Sequence, residues 1–215
     1  MAWTPERVSA QGPVEYNDSP PWDGGANCTG GHLPGARELG RFLEERYPFI
    51  HRVDGYRCRP STGTSSLTSV HGLGRAIDLM IRPMPDGSAD RRGDEVAQWL
   101  IDHAHELGVQ LIIWDSTIWS TARTGTGSFR SYTGQSAHRD HLHVEVNEAA
   151  ANMRLPWYQQ PNAMLAGSTA SLASDGGLPP VATAIIAATA TVAVMTAIYY
   201  GSRWITDRSR RLGEA

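Results

Sequence analysis

Apolar positions along residues 34–47 recur at helical spacing. Leu39, Phe42 and Leu43 share one face of a segment that opens at Pro34 and reaches Tyr47, where Pro48 stops it. This predicts the first helix. A short strand is expected over 51–57, then a Ser/Thr/Gly loop over 61–68. Residues 76–81, Ala-Ile-Asp-Leu-Met-Ile, read as a second strand closed by the turn-forming run 83–87. The clearest amphipathic pattern begins at Asp94, an expected N-cap, and sets Val96, Trp99, Leu100, Ala104 and Leu107 on one stripe before Gly108 ends it. Val109 to Trp114 is an apolar run of strand length, and His141 to Val146 alternates like a strand. Residues 120–137 are rich in Ser, Thr and Gly and are expected to form a flexible loop. This order of elements predicts an α+β domain, a small and mainly antiparallel sheet flanked by two or three helices.

The flanks differ from this domain. Residues 1–27, rich in Pro, Gly, Asn and Asp, read as an irregular arm, and the folded domain is expected over 28–158. Ala, Ser, Gly and Pro then dominate a linker over 159–180. Residues 181–200 carry no charge and are long enough to span a bilayer as one helix. Tyr199, Tyr200 and Trp204 stand where an aromatic belt would, and Arg203, Arg208, Arg210 and Arg211 follow, so the tail 201–215 is expected in the cytoplasm and the domain outside it. The N-terminus lacks the basic and apolar regions of a secretory signal, which leaves the export route open. A single-pass membrane protein is the first expectation; a phage-encoded lytic enzyme is the other.

Composition adds little. The 215 residues carry 19 basic and 22 acidic side chains, a net charge of −3 that gives no reason to expect a nucleic-acid partner. Every basic residue is Arg, which points to a GC-rich genome rather than to a function. Cys28 and Cys58 are too few for a four-thiolate metal site, and they either pair in an oxidising compartment or stay as free thiols.

The chemistry gathers in two places. In a strand over 141–146, His141, His143 and Glu145 point to one face, and two imidazoles beside a carboxylate are expensive to bury without a partner such as a metal ion. Upstream, His71 precedes a Gly-containing turn, and Asp78 sits inside an apolar strand, where Asp is disfavoured. Two His and one Asp suit Zn²⁺ and leave a fourth position for water.

The run Ser69-Val70-His71-Gly72-Leu73-Gly74-Arg75-Ala76-Ile77-Asp78, followed by Asp140-His141-Leu142-His143, resembles the D-Ala-D-Ala metallopeptidase family. That family shares its fold with lysostaphin-type enzymes and the hedgehog signalling domain, and the His-x-His pair is similar to its extensin-like bacterial branch. Gly55-Tyr56-Arg57 looks like the family's Gly-Tyr-Arg element, and the resemblance covers residues 28 to 148. It implies His71, Asp78 and His143 as zinc ligands, with His141 beside the metal-bound water and Arg57 stabilising negative charge on the substrate. Many family members carry a Glu-x-x-Trp-His element whose Glu is the general base. No Glu occupies that place here, so Asp140, His141 and Glu145 are the candidates, His141 first and Glu145 second. Ser69 is expected on the substrate side. His138 either contacts substrate or is an exposed loop residue, and Trp114 and Trp119 either line the cleft or pack in the core. The implied function is zinc-dependent hydrolysis of peptidoglycan stem peptides or their cross-links, as carboxypeptidase or endopeptidase. A non-catalytic zinc-binding module of the hedgehog kind, for cell-wall or protein binding, is the alternative. Oligomeric state is not legible.

Overall fold

A computed structural model describes residues 2–6, 10, 12–122 and 128–159. The elements are α1 (Pro34–Arg46), β1 (Ile50–Asp54), β2 (Ala76–Ile81), α2 (Arg92–Asp102), α3 (Ala104–Leu107), β3 (Val109–Trp114), β4 (Thr117–Ser120), β5 (Ser128–Ser131), β6 (His141–Val146), α4 (Glu148–Ala151) and α5 (Pro156–Gln159). Six strands form one sheet in the order β1-β2-β6-β3-β4-β5, each neighbouring pair antiparallel. The domain is therefore α+β, as expected. The predicted membrane helix over 181–200 lies outside the described residues; among those described, no helix is long and apolar enough to cross a membrane.

One face of the sheet makes the core. Ile77, Leu79 and Ile81 of β2, Leu142, Val144 and Val146 of β6, and Ile112 and Trp114 of β3 pack with Leu39, Phe42 and Leu43 of α1 and Val96, Leu100 and Ile101 of α2. Gly93 lets α2 approach so closely that a Cβ there would lie 2.2 Å from the Trp114 ring. Strand alternation thus sends Ala76, Asp78 and Met80 to the opposite face, which holds the chemistry.

Several local expectations need correction. The helix expected from Asp94 to Leu107 is two helices, broken at His103, whose φ of −103° and ψ of 11° leave the helical region. The apolar stripe runs on through Ala104 and Leu107, so periodicity alone conceals the break. Asp94 is not the N-cap but lies in the first turn of α2, where its carboxylate accepts from Trp114 Nε1 at 2.8 Å and Arg91 at 3.0 Å. The first strand ends at Asp54, short of the expected Arg57. The loop expected over 120–137 contains β5, which pairs with β4 at the sheet edge, and β4 begins at Thr117. Asp115 and Ser116 form the β3–β4 turn at φ of 40° and 64°, without glycine to mark it.

Cys28 and Cys58 form a disulfide, which settles the pairing left open by the sequence. Closing a loop of this separation stabilises by about 3–4 kcal/mol in the chain-entropy view. Among its described residues the arm ahead of it forms no helix or strand but is tied down: Thr68 N donates to Pro20 O at 2.9 Å and Trp22 N to Ser66 O at 2.8 Å.

Candidate metal centre

Asp78 and His143 are cross-strand partners on β2 and β6, with Ala76 opposite Glu145 and Met80 opposite His141. The register brings His141, His143, Glu145 and Asp78 to one face, as the period of two requires. His71 reaches the same place from the turn before β2. That turn is closed by Leu73 N to Ser69 O at 3.1 Å and Gly74 N to His71 O at 3.1 Å. Gly74 has a φ of +67°, and a Cβ there would meet the Gly31 carbonyl at 2.4 Å, so the ligand turn has no room for another residue.

One nitrogen each from His71 and His143 and one oxygen of Asp78 lie within 4.8 Å of one another. His143 Nδ1 is 3.0 Å from Asp78 Oδ1, and its Nε2 is 3.2 Å from Glu145 Oε1. A carboxylate only accepts, so in the metal-free protein both ring nitrogens donate. Burial disfavours the resulting imidazolium, but the two carboxylates outweigh it and raise the His143 pKa. Burial likewise opposes charge on Asp78, yet the His143 hydrogen bond and the surrounding imidazoles hold its pKa down at about 2. Unlike His143, His71 is pushed down, to about 4, by burial and the nearby His143 charge.

This donor set fits a zinc ion: two imidazoles, one ionised carboxylate, and a side open to the cleft. His71 Nδ1 is buried and has no hydrogen-bond partner among the described residues. The backbone leaves space beside it, because a Cβ on Gly55 would lie 2.9 Å from His71 Nδ1 and 3.0 Å from Asp78 Oδ2. Behind His143, Glu145 also accepts from Gln110 Nε2 at 3.3 Å. Gln110 reaches this face because the register slips between Val109 and Leu111, a bulge opposite the step from Val146 to Glu145. Carboxylates that accept the second ring N–H of a ligating His orient the ring and raise its basicity.

The candidate ligand trio borders open space. A cavity of about 550 Å³ is lined by His71, Asp78, His141, His143 and Glu145, with Ser69 and His138 beside them. A smaller one of about 300 Å³ is lined by Gly55, Arg57, Asp140 and His141, and His71 and Asp78 border both. Arg57 is exposed and borders the smaller cavity alone, whereas Arg59, two residues on, borders both. Nothing in the sequence singled out Arg59.

His138 is not an exposed loop residue; it is only 8% exposed and lines the larger cavity. Its φ of +49° is held by flanking hydrogen bonds, Asp115 N to His138 O at 2.8 Å and His138 N to Ser136 Oγ at 3.2 Å. Its Nδ1 donates to Ser136 O at 2.8 Å, and burial pushes its pKa down to about 4. His141 Nδ1 donates to Asp140 Oδ1 at 2.8 Å. Each ring therefore keeps Nε2 as an acceptor in its neutral form. Trp114 and Trp119 do not line the cleft. Both are fully buried on the core face, since Trp119 pairs with Ile112, whose side chain lies with Val144 rather than with His143.

A family model described as VldE, C-terminal domain, matches residues 28–143, more than half of the chain. The match runs from Cys28 to His143 and so contains all three candidate ligands and both cysteines. No curated protein matches the chain, and no solved structure does.

Proposed function

The chain belongs to the family of the VldE C-terminal domain, and within that frame we propose that it is a zinc-dependent peptidase, a D-Ala-D-Ala-metallopeptidase-like enzyme acting on peptidoglycan stem peptides or their cross-links. The observation that carries the proposal is the ligand trio His71, Asp78 and His143 at the junction of two open cavities, with a second pair of imidazoles beside it. A zinc ion held by these three residues would polarise a scissile carbonyl and acidify a water molecule. His141, anchored through Nδ1 on Asp140, presents Nε2 as the proton acceptor. Glu145 is committed to His143 and Gln110, which favours an orienting role over that of general base. Arg59, which borders both cavities, would stabilise developing negative charge on the substrate, and the exposed Arg57 borders the smaller cavity. Two cavities bordering His71 and Asp78 support cleavage within a cross-link over removal of a terminal residue. The disulfide supports an extracytoplasmic site of action.

The test joins metal content to cleavage. Purified chain, loaded with zinc, is incubated with peptidoglycan digests with and without a chelator, and the products are read by mass. About one zinc per chain with chelator-sensitive cleavage is expected, and His141→Ala should keep the zinc while losing most turnover. One zinc without cleavage would instead favour a binding module. Failure to bind zinc would overturn the ligand assignment.

A further inference from the structure

The N-terminal arm lies outside the residues matched by the family model, yet it builds one wall of the larger cavity through Tyr16, Asp18 and Ser19. It is held there by specific bonds. Asn17 N donates to Gln110 Oε1 at 3.1 Å, and Gln110 Nε2 returns a bond to Asn17 O at 3.3 Å. The buried Arg75 guanidinium donates through Nη2 to the carbonyls of Asn17 and Asp18 at 3.2 and 3.3 Å. Glu148 N donates to Asn17 Oδ1 at 2.7 Å. Gln110 is the side chain that also holds Glu145 behind His143, so the arm and the ligand set share one support. A segment fixed this firmly beside the metal ligands presents its side chains in a defined geometry.

Tyr16 is the informative residue. Its phenol lines the cavity, and among the described residues its hydroxyl has no hydrogen-bond partner. Burial, together with the Glu145 and Asp18 charges, raises its pKa to about 12, so it remains a proton-bearing donor across the neutral range. Arg59 and Arg130 border the same cavity, and neither forms an ion pair among the described residues. The Tyr16 hydroxyl and these two guanidiniums are donors that an oxygen on a ligand would satisfy, beside the acceptors that Asp18, Asp78 and Glu145 bring to the same cavity.

We infer that the arm is part of the substrate-binding site, with the Tyr16 hydroxyl donating a hydrogen bond to a carbonyl or carboxylate oxygen of the bound peptide. The inference rests on the peptidase reading and adds to it a specificity-determining contact outside the matched domain. Tyr16→Phe removes the donor and keeps the ring.

The test is made on the full chain. With peptidoglycan cross-link peptides and the zinc-loaded protein, Tyr16→Phe should raise KM about ten-fold and leave kcat within about two-fold, the effect of one lost hydrogen bond in binding. With zinc removed by chelator, affinity for the same uncleaved peptides should fall by a similar factor. Peptides whose free carboxylates are amidated then separate the two oxygen sources: a smaller Tyr16→Phe effect on them assigns the bond to a carboxylate, and an equal effect assigns it to a carbonyl. Wild-type KM and wild-type affinity in Tyr16→Phe, with the parent enzyme active, would overturn the assignment alone. No binding or cleavage of peptide by the parent chain would overturn the peptidase reading and this assignment with it.

Discussion

Gly55 packs directly on His71, with the space for its missing Cβ 2.9 Å from both Cε1 and Nδ1 of the ring. The same position is 3.0 Å from Asp78 Oδ2, and Gly55 has a φ of +119°, a conformation that costs an L-residue about 1–3 kcal/mol. One glycine therefore bounds two candidate ligands at once. Gly55→Ala should displace both and weaken zinc binding at least about ten-fold, read by competition with a chromophoric chelator. Unchanged zinc affinity would mean that the backbone can yield here without moving the ligands.

Glu145 supports His143 from behind, at 3.2 Å from Nε2, and is itself held by Gln110. Glu145→Gln keeps the shape and removes one of the two carboxylate charges that make His143 basic. Losses of about 10–100-fold in metal affinity are typical when such a carboxylate is altered, and that range is expected here. A variant with parental zinc affinity and abolished turnover would instead place Glu145 in the proton-transfer step.

The metal-free chain should have a stability maximum near the ordinary histidine pKa of 6.5. Burial works against a charged His143, but Asp78 and Glu145 outweigh it and raise its pKa to about 9, so its contribution is complete below 6.5 and lost as pH rises through 9. His71 and His138 are pushed to about 4, chiefly by burial, so the unfolded chain takes up their protons first as pH falls from 6.5 to 4. Stability declines on that side too. Thermal melts in chelator across this range should show both limbs. A melting temperature that is flat from about pH 5 to about pH 8.5 would show that these rings do not titrate as their surroundings require.

Much of the site was legible because strand alternation is a local property. Asp78 among Ile77 and Leu79, and His141, His143 and Glu145 at every second position, place their side chains on one face once each segment is extended. Helix α1 and strands β2, β3 and β6 follow from their apolar periodicity for the same reason. β5 lies within a loop rich in Ser, Thr and Gly, where pairing with β4 makes strand of residues that carry little local signal, whereas the strand formers Thr117, Ile118 and Trp119 of β4 follow a turn with no glycine to mark it.

The order of residues specifies the chemical groups and the faces of the strands that carry them. Tertiary structure alone decided which groups meet. The antiparallel register sets Asp78 opposite His143, and the bulge at Gln110 delivers an amide to Glu145 that regular alternation would have turned away. It also sent Trp114 and Trp119 into the core, gave Arg59 a place on both cavities, and brought Tyr16, from an arm without periodic signal, to the cavity that the candidate ligands line. Alternation and helical spacing are encoded within a few residues, whereas register, bulges and chain crossings are chosen by the free energy of the whole packed domain.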